Sequence, residues 1–457
     1  MLDIIPIIVF IGVVFLIIRQ PRLKIPGTNR HILLDYGYAP LLGIIILLVT
    51  LNMPPSLILT GLVGTSQIHP YEILILFFSL AYICISIDQT GFFRYLALLA
   101  AKKSGSSGKK LFFYFFALSS ILTTFTSNDI VILTITPIIL YFTKYTKINP
   151  VPYLFGEFFA ANIWSIALYV GNPTNIIVAQ AYNLTFLGYS QWVLLPTVVA
   201  GVTCYFLLYL LFRKDISKPL TPPDINPKSA LNDKPGAFFG LIMLGSCLLL
   251  LSIAPTFNLN MGLITLIFAI IMLGRDILKD LISHRRDPAI QRFNGTTANL
   301  TRMPWKIAPF VICMFVLVQV LEYSGWIDLF ASSMSGATNT IGLVATIFFV
   351  GFFASLACNV LNNQPMTILF TKMLQNSAFV APALLVQGSM FALIMGSNFG
   401  ANFTLIGALA GIMWSNISNG NGNRITYKQF AKVGFKVMPL VVAVACLVLA
   451  IEFLIGM

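Results

Sequence analysis

Two carboxylates stand in stretches where a charge is expensive. Asp129 closes the polar patch Thr123-Thr124-Phe125-Thr126-Ser127-Asn128-Asp129, set between apolar segments, and Glu157 lies in the otherwise apolar run from Phe155 to Ala161. An acid in such surroundings titrates, binds a cation or is paired. Asp129 therefore reads as the carrier of a coupling proton or the ligand of a coupling sodium ion, with a helix cap as the alternative. Glu157 reads either as a second titrating group or as an internally paired acid. Neutral groups accompany them: Thr126, Ser127, Asn128, Asn172, Thr174 and Asn175 in the first half, and Asn362, Asn363, Ser397, Asn398, Asn402 and Thr404 in the second. Amides and hydroxyls suit a small oxygen-rich solute or a partly dehydrated cation. No Lys or Arg lies near these positions in the sequence, which argues against salt bridges to a multivalent anion, although helix N-termini can hold carboxylates.

The elements that must position these groups are unusual. Segment 111–143 is about twice the ~20 residues of a bilayer crossing, yet its middle is the polar patch, and lysines flank it at 102–110 and at 144 and 147. With both flanks on one side, the chain enters, turns at 126–129 and returns, which is tolerated only where the turn is buried in protein or lines a cavity. Asn359 to Pro365 repeats the pattern. Ser127 or Asn128 caps the helix after the first turn and Asn363 the helix after the second, with Pro365 in the first helical turn. Each turn thus aims a positive helix end at the protein centre. A second polar break interrupts the following span in each half, at Gly171-Asn172-Pro173-Thr174-Asn175 and from Gly396 to Thr404.

These features recur at a constant interval. Pro70-Tyr71 and Pro304-Trp305, the span ends at Asp88 and Glu322, and the pairs Asn128-Asp129 and Asn362-Asn363 are each 234 residues apart. The loop before the first turn carries Lys102, Lys103, Lys109 and Lys110, whereas residues 332–341 before the second carry no charge. Positive charge marks the cytoplasmic side, so the two copies face opposite ways, the plan of many secondary transporters. Arg19, Arg22, Lys24 and Arg30, the cluster Arg213, Lys214 and Lys218, the loop 274–305 and the group Arg424 to Lys436 all fit one cytoplasmic face, with both termini outside. The organisation expected is N-terminal spans over 1–69, a first repeat over 70–215, linker spans and a cytoplasmic loop over 216–303, and a second repeat over 304–457.

Composition agrees. Of 457 residues 58% are hydrophobic and 9% charged, with a mean hydropathy of +0.88, against roughly 25% charged in soluble domains. Apolar runs at 3–18, 38–52, 70–87, 190–212, 236–254, 258–273, 306–321 and 437–455 predict an all-α polytopic membrane protein; the first, with no basic residue before it and no cleavage site after it, reads as a retained span. The charge of +13 belongs to loops beside spans, not to nucleic-acid binding. The six cysteines, all inside apolar runs, have no disulfide or metal-ligand spacing. No catalytic set appears beyond the Asp129 and Glu157 pair, no repeated filter ring suggests a channel, and no P-loop is present, so ATP would act only through a separate ATPase subunit.

The motifs Asp88-Gln-Thr-Gly-Phe-Phe, Ser127-Asn-Asp with Leu133-Thr-Ile-Thr-Pro137, Leu211-Phe-Arg-Lys-Asp215, Pro304-Trp-Lys-Ile307, Asn362-Asn-Gln-Pro365 and Gly400 through Trp414 resemble the ArsB/NhaD group of the ion-transporter superfamily, nearest its arsenite-efflux (ArsB) branch. The resemblance covers almost the whole chain. It implies two inverted repeats with re-entrant hairpins, elevator-type alternating access, often a homodimer, and efflux of arsenite or antimonite against protons in the plasma membrane, without an enzymatic cofactor. Asn162 and Asn398 stand where such arsenite carriers tend to hold an acid, and Ala401-Asn402 where they tend toward Pro-Lys. Gly171-Asn-Pro-Thr-Asn175 looks more like sodium-coupled carboxylate carriers and the plant silicon-efflux relatives. A sodium-coupled di- or tricarboxylate transporter and a sodium/proton antiporter are therefore the alternatives. The Cys358 thiol, near the second hairpin, could face a soft metalloid, with a small buried residue as the simpler role.

Overall fold

The computed structural model describes residues 3–24, 31–64, 69–220, 226–257, 259–289 and 291–456; Arg30 of the charge map lies outside them. The chain opens with α1 (Ile4–Arg19), whose first turn is capped by Asp3, and an antiparallel ribbon of β1 (Arg22–Lys24) and β2 (His31–Leu33). The ribbon departs from the all-helical expectation: the reversal before the next helix leaves backbone groups that a short ladder satisfies. Then follow α2 (Ala39–Val49), α3 (Ser56–Val63), α4 (Pro70–Gln89), α5 (Phe92–Ser104), α6 (Gly108–Phe125), α7 (Asn128–Tyr145), α8 (Val151–Trp164), α9 (Pro173–Ala181) and α10 (Phe186–Ile216). The middle of the chain forms α11 (Lys234–Ile253), α12 (Met261–Arg286) and α13 (Asn294–Arg302). The second half forms α14 (Ile307–Tyr323), α15 (Trp326–Leu361), α16 (Asn363–Gln375), α17 (Ala383–Phe399), α18 (Leu409–Gly420) and α19 (Tyr427–Ile455).

Among the described residues, eight helical segments are long and apolar enough to cross a bilayer. They include the helices on six of the apolar runs, together with α15 and α17. The first two runs form α1 and α2, of 16 and 11 residues, shorter than the ~20 of a full crossing. The most apolar stretch of α4 is 78% buried and that of α12 only 33%, so α4 is an inner helix while α12 turns a broad face to lipid. Residues 274–305, read as a loop from their charge, are in part helical: α12 runs on to Arg286 and α13 follows.

Both polar turns make hairpins. Phe115 of α6 packs edge-on against Phe142 of α7 with centroids 6.3 Å apart, so the chain doubles back around Thr126-Ser127. Phe353 of α15 stacks on Phe370 of α16 at 5.3 Å, closing the second hairpin around Asn362. α15 is two helices in one, bent at Gly342; its first part corresponds to α5 and its second to α6. The joints before α5 and α15 are alike as well. Gly91 and Gly325, 234 residues apart, hold φ of 85° and 79°, a left-handed conformation that glycine adopts without steric cost.

Three carboxylate clusters tie α12 and its neighbours together, and a capping box closes the start of α19. Asp233 caps α11 through the Gly236 amide and takes hydrogen bonds from Arg275 and from Lys279, the latter at 2.6 Å. Asp276 of α12 accepts from Tyr82 and Ser86 of α4 and from Asn299 of α13. Asp280 accepts from the first amides of α13, Gly295 and Thr296. Thr426 and Gln429 form a capping box on α19, satisfying amides that the helix itself cannot.

Candidate functional site

At the first hairpin tip Ser127 is the cap of α7, its hydroxyl accepting from the Ile130 amide at 3.4 Å. Thr126 turns its hydroxyl back to the Leu122 carbonyl at 2.7 Å, completing its own helix. Asn128 accepts from the Asp129 amide and reaches out with its other end to Asn162 of α8, at 3.0 Å. At the second tip the cap is Asn362, in a left-handed conformation (φ 67°) without a side-chain cap bond. This corrects the assignment of that role to Asn363. Asn363 is the first helical residue, its amide held by the Gly407 carbonyl at 2.9 Å. Cap aligned with cap, Asn128 pairs with Asn363 and Asp129 with Gln364, one position from the constant interval of 234.

The breaks are also displaced from the glycine motifs. In the first half the unwound stretch is 165–172, and Pro173-Thr174-Asn175 begin α9 with Asn172 as cap. Proline lacks an amide donor and suits a first helical turn, so it starts a helix here and does not interrupt one. In the second half Gly396 to Phe399 still belong to α17, and the unwound stretch is 400–408.

The two breaks are joined by one polar network. Asn398 accepts from Ser165 at 3.0 Å and from Asn172 at 2.8 Å, and donates to Asn175 at 2.7 Å. Ser397 donates to Thr174 at 3.3 Å. Asn162 donates to Asn402 at 3.0 Å while accepting from Asn128, so a chain of three carboxamides runs from the first tip to the second break. Thr404 lies apart from this chain and donates to Asn359 at 2.5 Å; Asn362 donates to the Ile406 carbonyl. Asn162, Asn172, Asn175, Asn398 and Asn402 are all buried. Amides that deep are stable only when paired, and here each half satisfies the other.

The acids take different places. Glu157 is fully buried, its carboxylate taking hydrogen bonds from Thr136 of α7 at 3.1 Å and Trp414 of α18 at 3.3 Å. It sits behind the network, joining three elements, with no cationic partner among the described residues. Asp129 lines a narrow cavity of about 50 Å³ with Ser127, Tyr36, Ala81, Arg302 and Met413. That cavity shares Leu133 and Arg302 with a cleft of about 720 Å³ between α4, α5, α7 and the segment 226–232. Asp129 thus lines a small cavity that adjoins the wider cleft through Leu133 and Arg302.

Arg302 corrects the expectation that the breaks lie away from cations. It is distant in sequence, but α13 brings it to the cavity mouth, where it pairs with Asp88. Asp88 and its counterpart Glu322 are both ion-paired, the latter with Lys372 at 3.4 Å. Cys358 is buried with its sulfur 3.6 Å from the Ser397 carbonyl, where it packs against the helix break. Three participants were not among the expected binding residues: Asn162, Ser165 and Asn359. Asn162 carried a signal, as an amide in the apolar run that also holds Glu157.

Residues 13–389 match the family model described as Citrate transporter, CitMHS. An arsenical pump membrane protein of Escherichia coli is 24% identical over 465 residues, covering 97% of this chain and 98% of that protein. The 46 kDa membrane protein of Mycobacterium leprae is 25% identical, covering 84% and 87%. Among solved structures, the YdaH transporter of Alcanivorax borkumensis aligns with a TM-score of 0.56 at 13% identity, over 99% of this chain and 97% of that one. Neisseria gonorrhoeae MtrF aligns at 0.55 and 11%, over 98% and 94%. At such identities these two likenesses establish the fold.

Proposed function

The chain belongs to the CitMHS citrate transporter family, a multi-pass membrane transporter, and from that premise we propose that it moves a small uncharged inorganic solute, arsenite or antimonite, outward by coupling to protons or sodium. The observation that carries this reading is the neutral carboxamide chain Asn128–Asn162–Asn402, with Asn398 beside it, where the two halves meet. Hydroxyl-rich metalloid acids offer both donors and acceptors to such groups. The similarity to arsenical pump membrane proteins over nearly the whole chain supports it. Asp129, which lines the cavity next to the open cleft and has no ion-pair partner among the described residues, is the coupling group; Glu157 is the second candidate.

In this reading residues 70–215 and 304–457 are inverted repeats, the lysine-rich loops of the first are cytoplasmic, and the hairpins ride with the broken helices in an elevator-type exchange of access. The cleft beside α7 is then the cytoplasmic entrance. A second reading, a sodium-coupled carboxylate transporter, is favoured by the family and by two buried acceptors without partners at the second tip, Asn362 Oδ1 and Gln364 Oε1. Unpaired buried oxygens invite a cation.

Purified protein in liposomes, screened for thermal stabilisation and flux with arsenite, antimonite, citrate and succinate, each with and without sodium, separates the two. Metalloid-dependent stabilisation is expected. Stabilisation by a carboxylate only in the presence of sodium would replace the first reading with the second.

A further inference from the structure

The cleft beside the first hairpin is lined by Asp88 of α4 and Arg94 of α5 and by Pro137 and Tyr141 of α7. The repeat supplies a counterpart for each. The interval of 234 before the hairpin turns Asp88 and Arg94 into Glu322 and Asp328. The interval of 235 after it, set by the caps Ser127 and Asn362, turns Pro137 and Tyr141 into Lys372 and Asn376.

The counterparts are in contact. Lys372 lies 3.4 Å from the Glu322 carboxylate, and Asn376 donates to Asp328 at 2.8 Å. Gln319 steadies Glu322 with a hydrogen bond of 2.9 Å. Ser335 and Asn339 of α15 both donate to the Val380 carbonyl, at 2.6 and 2.7 Å, tying the same wall to the chain leaving α16. The Lys372 side chain is only 9% exposed. A buried ammonium is tolerated where a carboxylate meets it, and removing that carboxylate leaves an uncompensated charge that must find water. Positions that line an open cleft in one half are thus fastened together in the other.

We infer that Glu322–Lys372 and Asp328–Asn376 form a polar latch, sealing the side of the transporter away from the lysine-rich loops while the cleft beside α7 stands open. The inference rests on the alternating-access reading above. When access switches, the latch parts, and Lys372 with Glu322 and Asp328 lines an outer vestibule, where these become the first charged groups a departing solute passes. The strength of the latch then sets how often that vestibule opens.

Full-length protein in sealed membrane vesicles provides the test, with a membrane-impermeant maleimide added to one face or the other. All six native cysteines are buried, leaving a quiet background. Met373→Cys reports on the latched side, since Met373 is buried beside Lys372; Ile138→Cys reports on the open cleft it lines. Lys372→Gln or Glu322→Gln is expected to raise outer labelling of Met373→Cys by about tenfold and to slow cytoplasmic labelling of Ile138→Cys, as a shift between two populations requires. The reversed pair Glu322→Lys with Lys372→Glu returns both rates, which a general loss of folding would not do. Labelling unchanged in both single variants overturns the latch. With the latch intact, solute that alters labelling at neither reporter overturns alternating access itself, a different failure from the first.

Discussion

The two hairpin tips share an architecture and differ in backbone conformation and chemistry. In the first, Ser127 caps α7 in the ordinary way, Asn128 holds the carboxamide chain, and Asp129 lines a small cavity next to a wide cleft. In the second, Asn362 occupies the cap in a left-handed conformation, the tip is stitched to the carbonyls of Ile406 and Gly407, and Gln364 stands where the first has its acid. One tip is acidic and lines a cavity beside the cleft; the other is neutral, buried and tied to the neighbouring break. The two helix ends correspond in position, and only the first carries a carboxyl group. In the proposed function, that contrast assigns coupling to the first half and the shaping of the solute site to the second.

The largest effect should come from erasing the difference. Asp129→Asn makes the two tips alike in charge, and flux driven by a proton or sodium gradient is expected to fall about 10–100-fold, the usual range of a coupling free energy between sites. Proteoliposome flux checks it. Moving the acid, with Asp129→Asn and Gln364→Asp together, should not restore transport, because Gln364 is buried at a sealed tip; recovery would show that the tips are interchangeable.

A smaller effect is expected where the halves meet. Asn398→Ala strips Asn172 and Asn175 of a shared partner and should lower stability by about 2–4 kcal/mol, the consequence of leaving buried polar groups unpaired. Thermal unfolding in detergent measures this.

The smallest effect belongs to the surface clamp. Burial alone would raise the Asp233 carboxyl, but hydrogen bonds from Lys279, Arg275 and the Gly236 amide outweigh it and hold the carboxyl at about 2, below its ordinary 3.8. A depressed acid stabilises the fold above its unfolded value and loses that contribution as pH falls through the folded one. Asp233→Asn should therefore cost about 1–2 kcal/mol at neutral pH, typical of a partly exposed ion cluster. The gap from the parent should close as pH drops from near 4 toward 2. A gap independent of pH would assign Asp233 a capping role only.

The hairpins and breaks were readable because polar residues in an apolar segment have few ways to be satisfied: the patch ending at Asp129 and the run Asn359 to Pro365 both had to turn back inside protein. Gly91 and Gly325 followed from the repeat. Exact caps did not, since Ser127, Asn128, Asn362 and Asn363 are all competent and only the backbone selects among them. Nor could a sequence interval reveal that α13 would carry Arg302 to the Asp129 cavity, or that Asn162 would bridge two amides across the molecule; both depend on packing between distant segments. Residues 332–341, which read as the loop before the second turn, are helical instead, and the bend comes just after them at Gly342.

The carboxamide junction also has a cost during synthesis. The hydrogen bonds of Asn162, Ser165, Asn172 and Asn175 to the second half connect residues 223 to 240 positions apart. At roughly 5–20 residues per second of translation, the first broken helix waits about 10–50 s for its partners. During that interval its amides lie in the bilayer incompletely paired. The newborn chain is accordingly most exposed to quality-control proteases before the segment around Asn398 has been inserted, and a truncated or stalled product ending short of it would be cleared although most of its spans are already in place.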